Sequence, residues 1–176
     1  MKPTRIAVHQ GDITQLHVDA IVNAANQSLV EGGGVSGAIH RAAGPELRDA
    51  ALALGGAETG EVKATPGFNL PASYVFHAVG PIYEDGRSGE EELLASCYKN
   101  ALDLAVKYKC STIAFPNIST GVYGYPREEA AQVAFHTVVS CLEDPKYNFI
   151  DQVVFVTYDD KNTNIYRRLI SHYSSK

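Results

Sequence analysis

Three kinds of residue are scarce or absent in this sequence of 176 residues, which has no tryptophan, one methionine and three cysteines. Cys97, Cys110 and Cys141 lack the paired spacing of a zinc site or a redox motif, and their odd number argues against a disulfide framework. We therefore expect reduced thiols in a reducing compartment, each serving as a small buried apolar residue. The histidines also lack metal-ligand spacing, so no metal site is predicted.

Long apolar runs are missing as well. No segment approaches the roughly 20 apolar residues that a membrane-spanning helix needs. Residues 1–5 lack the apolar core of a secretory signal. We therefore expect a cytoplasmic protein with no membrane partner.

Basic residues are outnumbered, with 15 Lys and Arg against 20 Asp and Glu and a net charge of −5. A general nucleic-acid binder usually presents a basic face, so we expect no such partner. A single nucleotide held by backbone groups remains compatible with this charge. The length and the 45% hydrophobic content are typical of one globular domain, here residues 1–176.

Short apolar runs alternate with longer helical patterns along the chain. Strands are predicted at residues 5–9, 19–24, 61–65, 74–79, 112–116 and 152–158. Helices are predicted at residues 34–43, 45–54, 90–108, 127–142 and 162–173. This alternation predicts an α/β fold with a largely parallel sheet between helices. Ligands of such sheets bind beyond the carboxyl ends of the strands, where the loops after Ala24 and Pro116 are expected.

The first of these loops combines carboxamides with glycines. Asn23 and Asn26 precede a glycine run that leads into a predicted helix. Backbone N–H groups of such a loop can close around a phosphate, and the helix N-terminus adds partial positive charge. Gly32, Gly34 and Gly37 also fit the dinucleotide-binding fingerprint. However, a polar loop separates them from the preceding strand and no acidic ribose-binding residue follows, so a nicotinamide-dependent oxidoreductase is disfavoured.

The second loop, residues 116–126, also suits a phosphate. Ser119, Thr120 and Gly121 offer hydroxyls and accessible N–H groups, and Tyr123 can cover a ligand. An ordinary strand-to-helix loop with packing tyrosines explains these residues equally well. Two such loops at one sheet edge favour a diphosphate lying between them.

Three further residues each allow two interpretations. Asp12 can accept a hydrogen bond from a ligand amine, such as that of adenine, although a turn or helix cap is its commoner role. Tyr158 can lie against a base or simply pack. His40 is expected to be a structural hydrogen-bonder.

Taken together, five segments in this order resemble the macrodomain family, and within it the bacterial MacroD-type O-acetyl-ADP-ribose deacetylases. The matching segments are residues 11–14, 18–26, 32–35 together with 37–45, 77–81 and 118–126. The resemblance implies a three-layer α/β/α fold with a central mixed, largely parallel sheet. It also implies that ADP-ribose or O-acetyl-ADP-ribose is the ligand, with mono-ADP-ribosylated proteins as further partners, and that neither a metal nor an organic cofactor is needed.

The resemblance also implies roles for individual residues. Asp12 would hold the adenine amine with Ile13 beside it, Asn26 would hydrogen-bond the distal ribose, and Tyr123 would pack near that ribose. The catalytic positions would be Asn26, Ser36 and Tyr123. The remaining ligand contacts would come from Asn23, Gly32, Gly33, Gly34, Val35, Ser119, Thr120, Gly121, Val122 and Tyr158.

One departure from the family pattern affects the expected chemistry. Hydrolytic members commonly have Gly-Gly-Gly-Gly-Val-Asp-Gly, whereas this chain has Glu31 at the first glycine and Ser36 at the aspartate. Loss of general-base assistance typically lowers a rate about 10²–10⁴-fold. Viral macrodomains resemble this pattern, lack the same Asp and still hydrolyse mono-ADP-ribose. Two hypotheses therefore stay open. One is a hydrolase of ADP-ribosyl esters (O-acetyl-ADP-ribose or modified acidic side chains) whose rate Ser36 would lower, and the other is a non-catalytic ADP-ribose reader.

Overall fold

The structure is a computed structural model that describes residues 5–174. Its strands are β1 (Ile6–Gln10), β2 (Ala20–Ala25), β3 (Val62–Pro66), β4 (Tyr74–Val79), β5 (Thr112–Phe115) and β6 (Gln152–Thr157). Its helices are α1 (Gly34–Ala43), α2 (Pro45–Ala53), α3 (Glu90–Lys107), α4 (Arg127–Leu142) and α5 (Asp160–Ser174), with short 3-10 turns at Ile13–Gln15 and Pro145–Tyr147. Every predicted strand and helix is present.

Two predictions reach beyond this part of the chain. The expectation that no secretory signal is present concerns residues 1–5, of which residues 1–4 lie outside the described residues. The single domain of residues 1–176 likewise extends past them at both ends, and its bounds stay a prediction. Within residues 5–174, no helix is both long and apolar enough to cross a membrane.

The six strands form one sheet in the order β1-β6-β5-β2-β4-β3. All neighbours are parallel except β3 and β4, which are antiparallel. The predicted mixed, largely parallel sheet is therefore confirmed. Parallel neighbours need crossover connections, which places helices over both faces.

Successive side chains of β2 enter different cores, as a strand buried on both faces requires. Val22 packs in the core beneath α3, α4 and α5, which includes Phe115 and Phe155. Ile21 packs on the other face against Ile39 of α1 and Leu47 of α2. The predicted three-layer α/β/α arrangement is confirmed.

The five parallel strands point the same way, so their carboxyl ends lie in a fixed order along one sheet edge. Asp12 follows β1, Tyr158 follows β6, Asn117 lies after β5, Asn26 follows β2 and Gly80 follows β4. A ligand lying along this edge meets the five positions in that order.

Candidate functional site

A cleft of about 540 Å³ opens at this edge of the sheet. Its lining residues are Ala24, Ala25, Asn26, Gly32, Gly33, Gly34, Val35, Ser36, Gly80, Pro116, Asn117, Ile118, Ser119, Thr120, Gly121, Val122, Tyr123, Arg127, Val156, Tyr158, Asp159 and Asn162. The structure thus brings both predicted phosphate loops together. We call residues 26–36 the first wall and residues 116–126 the second wall.

The first wall presents backbone N–H groups at the start of α1. Within residues 5–174, the N–H groups of Gly33, Gly34 and Val35 donate no hydrogen bond. The helix has no side-chain cap at Gly33, and Gly34 has a φ of +57°, which glycine adopts without strain. The uncapped helix end is therefore open to an anion.

Asn26 is held in place by the loop that it begins. Its Oδ1 accepts a hydrogen bond from the N–H of Val30 at 3.2 Å, and its Nδ2 donates to the carbonyl of Val30 at 3.3 Å. The loop itself is anchored by Leu29, which is buried against Ala25 and Val79. One proton and one lone pair of the Asn26 carboxamide remain for a ligand.

The second wall carries a longer run of accessible backbone donors. None of the five N–H groups from Ser119 to Tyr123 donates a hydrogen bond within the described residues. Ser119 has a φ of +68°, and its Oγ is buried without a partner there. Gly80 permits this geometry, because a Cβ at that position would overlap Ser119 Oγ and lie 2.6 Å from Cγ2 of Ile118.

Ser36 lies at the Asn26 end of the cleft. It is buried, and its Oγ accepts a hydrogen bond from the N–H of Gly32 at 3.4 Å. Outside the cleft, the Glu31 carboxylate lies 3.9 Å from Nδ1 of buried His40. Burial lowers the pKa of His40, and the charge of Glu31 opposes that shift. Glu31 therefore faces His40 and is not among the lining residues.

The other end of the cleft is formed by Tyr158. Partial burial raises the pKa of its hydroxyl, the charge of Asp12 adds to this, and a hydrogen bond with the backbone of Ile13 opposes it. Asp12 and Ile13 thus border Tyr158 but do not line the cleft. One carboxylate oxygen of Asp12 also caps the adjacent turn, accepting hydrogen bonds from the N–H and the hydroxyl of Thr14.

Asn23 is the one predicted ligand contact that the structure holds apart from the cleft and its border. It is 1% exposed on β2, and its Nδ2 donates to Nδ1 of His77 at 3.2 Å. Nε2 of His77 therefore carries the proton and donates to the Thr65 hydroxyl at 3.0 Å. Burial, reinforced by nearby His40, lowers the pKa of His77 to about 4. A direct contact between Asn23 and a ligand stays a prediction.

Sequence reasoning missed Arg127. Among the residues that line the cleft, it is the one with a basic side chain. It is exposed, and within residues 5–174 it forms no salt bridge or side-chain hydrogen bond. Its position at the first residue of α4, directly after a phosphate-type loop, was the available signal. Asp159 and Asn162 were also missed; Asp159 accepts a hydrogen bond from the N–H of Asn162 at 2.8 Å and caps α5.

The site is organised around backbone donors, amides and hydroxyls. Within the described residues, no group of three His, Cys, Asp or Glu side chains could hold a metal ion. The three cysteines are free and buried, as predicted. Burial raises the pKa of Cys97 to about 12, which leaves its thiol protonated near neutral pH. The arrangement is suited to binding an extended anion between two walls.

Comparison with known proteins agrees with this geometry. The sequence profile described as Macro domain matches residues 22–134. A macro domain-containing protein of Chlorobaculum tepidum is 53% identical over 171 residues, covering 96% of this chain and 98% of the relative. The O-acetyl-ADP-ribose deacetylase of Salmonella typhimurium is 51% identical, covering 96% of this chain and 95% of the relative. The Trypanosoma brucei macrodomain in complex with ADP-ribose superposes with a TM-score of 0.87 at 40% identity, covering 94% of this chain and 69% of the other. The chain therefore belongs to the macro domain family.

Proposed function

We propose that the cleft binds ADP-ribose and that the protein hydrolyses ADP-ribosyl esters. The observation that carries the proposal is the pair of walls lining one cleft, each with consecutive backbone N–H groups that donate no hydrogen bond within residues 5–174. Two runs of donors suit a diphosphate, whose two phosphates each need several hydrogen bonds. The structures of relatives solved with ADP-ribose and ADP support this choice of ligand.

The order of strand ends supports one orientation of the ligand. Adenine would lie at Tyr158, with Asp12 accepting a hydrogen bond from its amine and Ile13 beside it. The diphosphate would lie between the walls, and the distal ribose would reach Asn26 and Tyr123. This order follows the sheet edge from β6 through β5 to β2 without a crossing.

Hydrolysis would take place at the Asn26 end of the cleft, where the distal ribose would lie. Water would attack either the ester carbonyl or the anomeric carbon of the distal ribose. With O-acetyl-ADP-ribose the products would be ADP-ribose and acetate; with a modified acidic side chain they would be ADP-ribose and the free carboxylate. The Asn26 carboxamide, already oriented by Val30, would hold the ribose in place, and binding of the remote adenosine would favour the reactive geometry. The name of the Salmonella relative supports deacetylation.

A non-catalytic reader is the second candidate, and Ser36 is the observation that favours it. A serine hydroxyl is no general base near neutral pH without a partner, and its Oγ is buried beside Gly32. Such a reader would bind ADP-ribose on proteins without cleaving it. We place either activity in the cytoplasm, which the three free thiols support.

Single-turnover cleavage of O-acetyl-ADP-ribose tests the proposal, with free ADP-ribose followed by chromatography and ADP-ribose binding measured by calorimetry. We expect both turnover and binding. Binding without turnover would overturn the hydrolase and leave the reader. Failure to bind ADP-ribose would overturn both.

A further inference from the structure

The loop after β4, residues 80–89, borders the cleft at its Asn26 end. β4 pairs with β2, so its carboxyl end lies beyond Asn26 on the side away from Tyr158. Under the proposed function, on which this inference rests, the distal ribose lies at Asn26. A group attached to that ribose that continues along the sheet edge would therefore meet this loop.

The loop is held in one shape by the carboxylate of Glu90, which is 2% exposed. Oε2 accepts hydrogen bonds from the N–H groups of Glu84, Asp85 and Gly86 at 2.9, 3.1 and 3.1 Å, and Oε1 accepts from Ser88 at 2.7 Å. These hydrogen bonds lower the pKa of Glu90 to about 2, and the bond from Glu84 has the largest effect. The loop is therefore preorganised near neutral pH.

The same loop is tied to the second wall. The N–H of Tyr83 donates to the carbonyl of Tyr123 at 2.8 Å, and the rings of Tyr83 and Tyr125 lie 4.8 Å apart. Ile82, next to this contact, is 61% exposed, and Val122 on the second wall is fully exposed. Single exposed aliphatic residues are ordinary, but these two stand on interlocked loops at the mouth of a ligand cleft.

The surroundings of this apolar pair are acidic. Glu84 and Asp85 are exposed on the loop, and Glu129 of α4 contacts Tyr83. Partial burial raises the pKa of the Tyr83 hydroxyl, and the charges of Glu129, Glu90 and Asp85 raise it further. Arg87 on the same loop and Arg127, two residues before Glu129, are the cations set against Glu84, Asp85, Glu90 and Glu129, so negative charge predominates at this end.

We propose that Ile82, Val122, Glu84 and Glu129 form a docking surface, the distal patch, for the polypeptide that carries the ADP-ribose. The polypeptide it fits has an apolar residue and lysine or arginine next to the modified side chain. Continuity with the cleft supports this occupant, because the polypeptide leaves the distal ribose toward β4. Charge complementarity supports its basic character. The acetyl group of O-acetyl-ADP-ribose is too short to cover these side chains.

Binding of three probes tests the distal patch independently of turnover. The probes are free ADP-ribose and two peptides that carry ADP-ribose through a non-hydrolysable amide link, one flanked by leucine and lysines and one by serine and glutamates. We expect the wild-type protein to bind the lysine-flanked peptide about 5-fold more tightly than free ADP-ribose. Ile82→Ser should abolish this gain, and Glu84→Lys should reverse the preference between the peptides. Neither change should alter binding of free ADP-ribose more than about twofold.

The matched controls are Phe149→Ser and Asp151→Lys, both exposed residues before β6 at the opposite edge of the sheet. They should keep the wild-type preference. Equal affinity for peptides and free ADP-ribose, or equal behaviour of patch and control variants, would overturn the distal patch while leaving the proposed function intact. Loss of ADP-ribose binding by the wild-type protein would instead overturn the proposed function.

Discussion

The first and second walls present the same backbone chemistry to the cleft but rest on different supports. The strand that leads into the first wall, β2, carries Asn23, which forms one hydrogen-bonded chain with His77 and Thr65. Beside the second wall lies the ionised carboxylate of Glu90, acting through Tyr83. The first wall also contributes the side chain nearest the expected reaction, Asn26, whereas the second contributes mostly N–H groups. We infer that changes in the first wall act on the rate and changes in the second act on affinity.

The strongest test of this division is Asn26→Ala. Loss of one oriented polar group at the reacting end should lower kcat/KM for O-acetyl-ADP-ribose about 10²–10³-fold. The Kd of ADP-ribose should change less than about threefold, because the N–H groups of both walls remain. Steady-state kinetics and calorimetry measure the two quantities. Gln27→Ala is the matched control, since this neighbouring exposed amide bonds Thr59 outside the cleft and should leave both unchanged. Wild-type turnover by Asn26→Ala would contradict the site assignment.

Lowering the pH should weaken the contribution of His77 to stability and leave that of Glu90 unchanged. The pKa of His77 is about 4 in the folded protein against an ordinary 6.5, so between these values the unfolded state binds more protons. The stabilisation from neutral His77 is complete above pH 6.5 and falls as the pH decreases to about 4, by about 3 kcal/mol. His40, whose pKa is also lowered, adds in the same direction. Glu90, with a pKa of about 2, stays ionised throughout this range.

Urea unfolding at pH 7, 5.5 and 4 measures this loss, and hydrogen exchange locates it. The first wall should lose protection before residues 84–88 do. In His77→Gln, the free energy of unfolding should depend less on pH over the same range. A pH dependence identical to that of the wild-type protein would show that His77 is not the titrating support.

Ser36→Asp tests whether the first wall limits the rate of hydrolysis through the lack of a carboxylate at this position. A carboxylate at this position should raise turnover of O-acetyl-ADP-ribose by about 10–100-fold if water activation limits the rate. Ser36→Ala is the control and should stay within about threefold of the wild-type protein. The initial rate of ADP-ribose release is the measurement. Equal rates for all three proteins would place the limiting step elsewhere.

The smallest expected effect belongs to the second wall. Arg127→Gln removes an unpaired cation from the cleft and should raise the Kd of ADP-ribose about fivefold, with kcat unchanged. The salt dependence of binding should also weaken. Arg168→Gln is the matched control, because this guanidinium pairs with Glu128 at 3.1 Å and is absent from the cleft lining. A larger effect on kcat than on Kd would contradict the division between the walls.

The elements of the fold were predictable because their patterns are local. The apolar spacing in α3 and the short Val- and Phe-rich run of β6 each indicate one structure over many residues. The meeting of the two loops in one cleft was predictable for a related reason, since each follows a parallel strand at the same sheet edge. Their binding of phosphate stays a prediction. Boundaries were less exact: α5 begins at Asp160, two residues before the prediction, because Asp159 caps it.

Other features depend on contacts between distant segments. The sequence gives no sign that Asn23 hydrogen-bonds His77, 54 residues away, and its predicted contact with a ligand stays a prediction. Glu90 looked like an ordinary acidic residue in the first turn of a helix, and only the folded loop shows four N–H groups converging on it. Arg127 enters the lining because α4 starts where the second wall ends. Local patterns carry none of this information.

The order of the strand ends sets fixed distances along the cleft. Four inter-strand spacings of about 4.8 Å separate the end of β1 from the end of β4, roughly 19 Å along the edge. Tyr158 after β6 and Asn26 after β2 lie two of these spacings apart, roughly 10 Å, with the second wall between them. A single bridging phosphate would leave the N–H donors of one wall without a partner, and a third phosphate would have no wall of its own in this cleft. Affinity in a series of adenosine–ribose compounds joined by one, two or three phosphates should therefore peak at two.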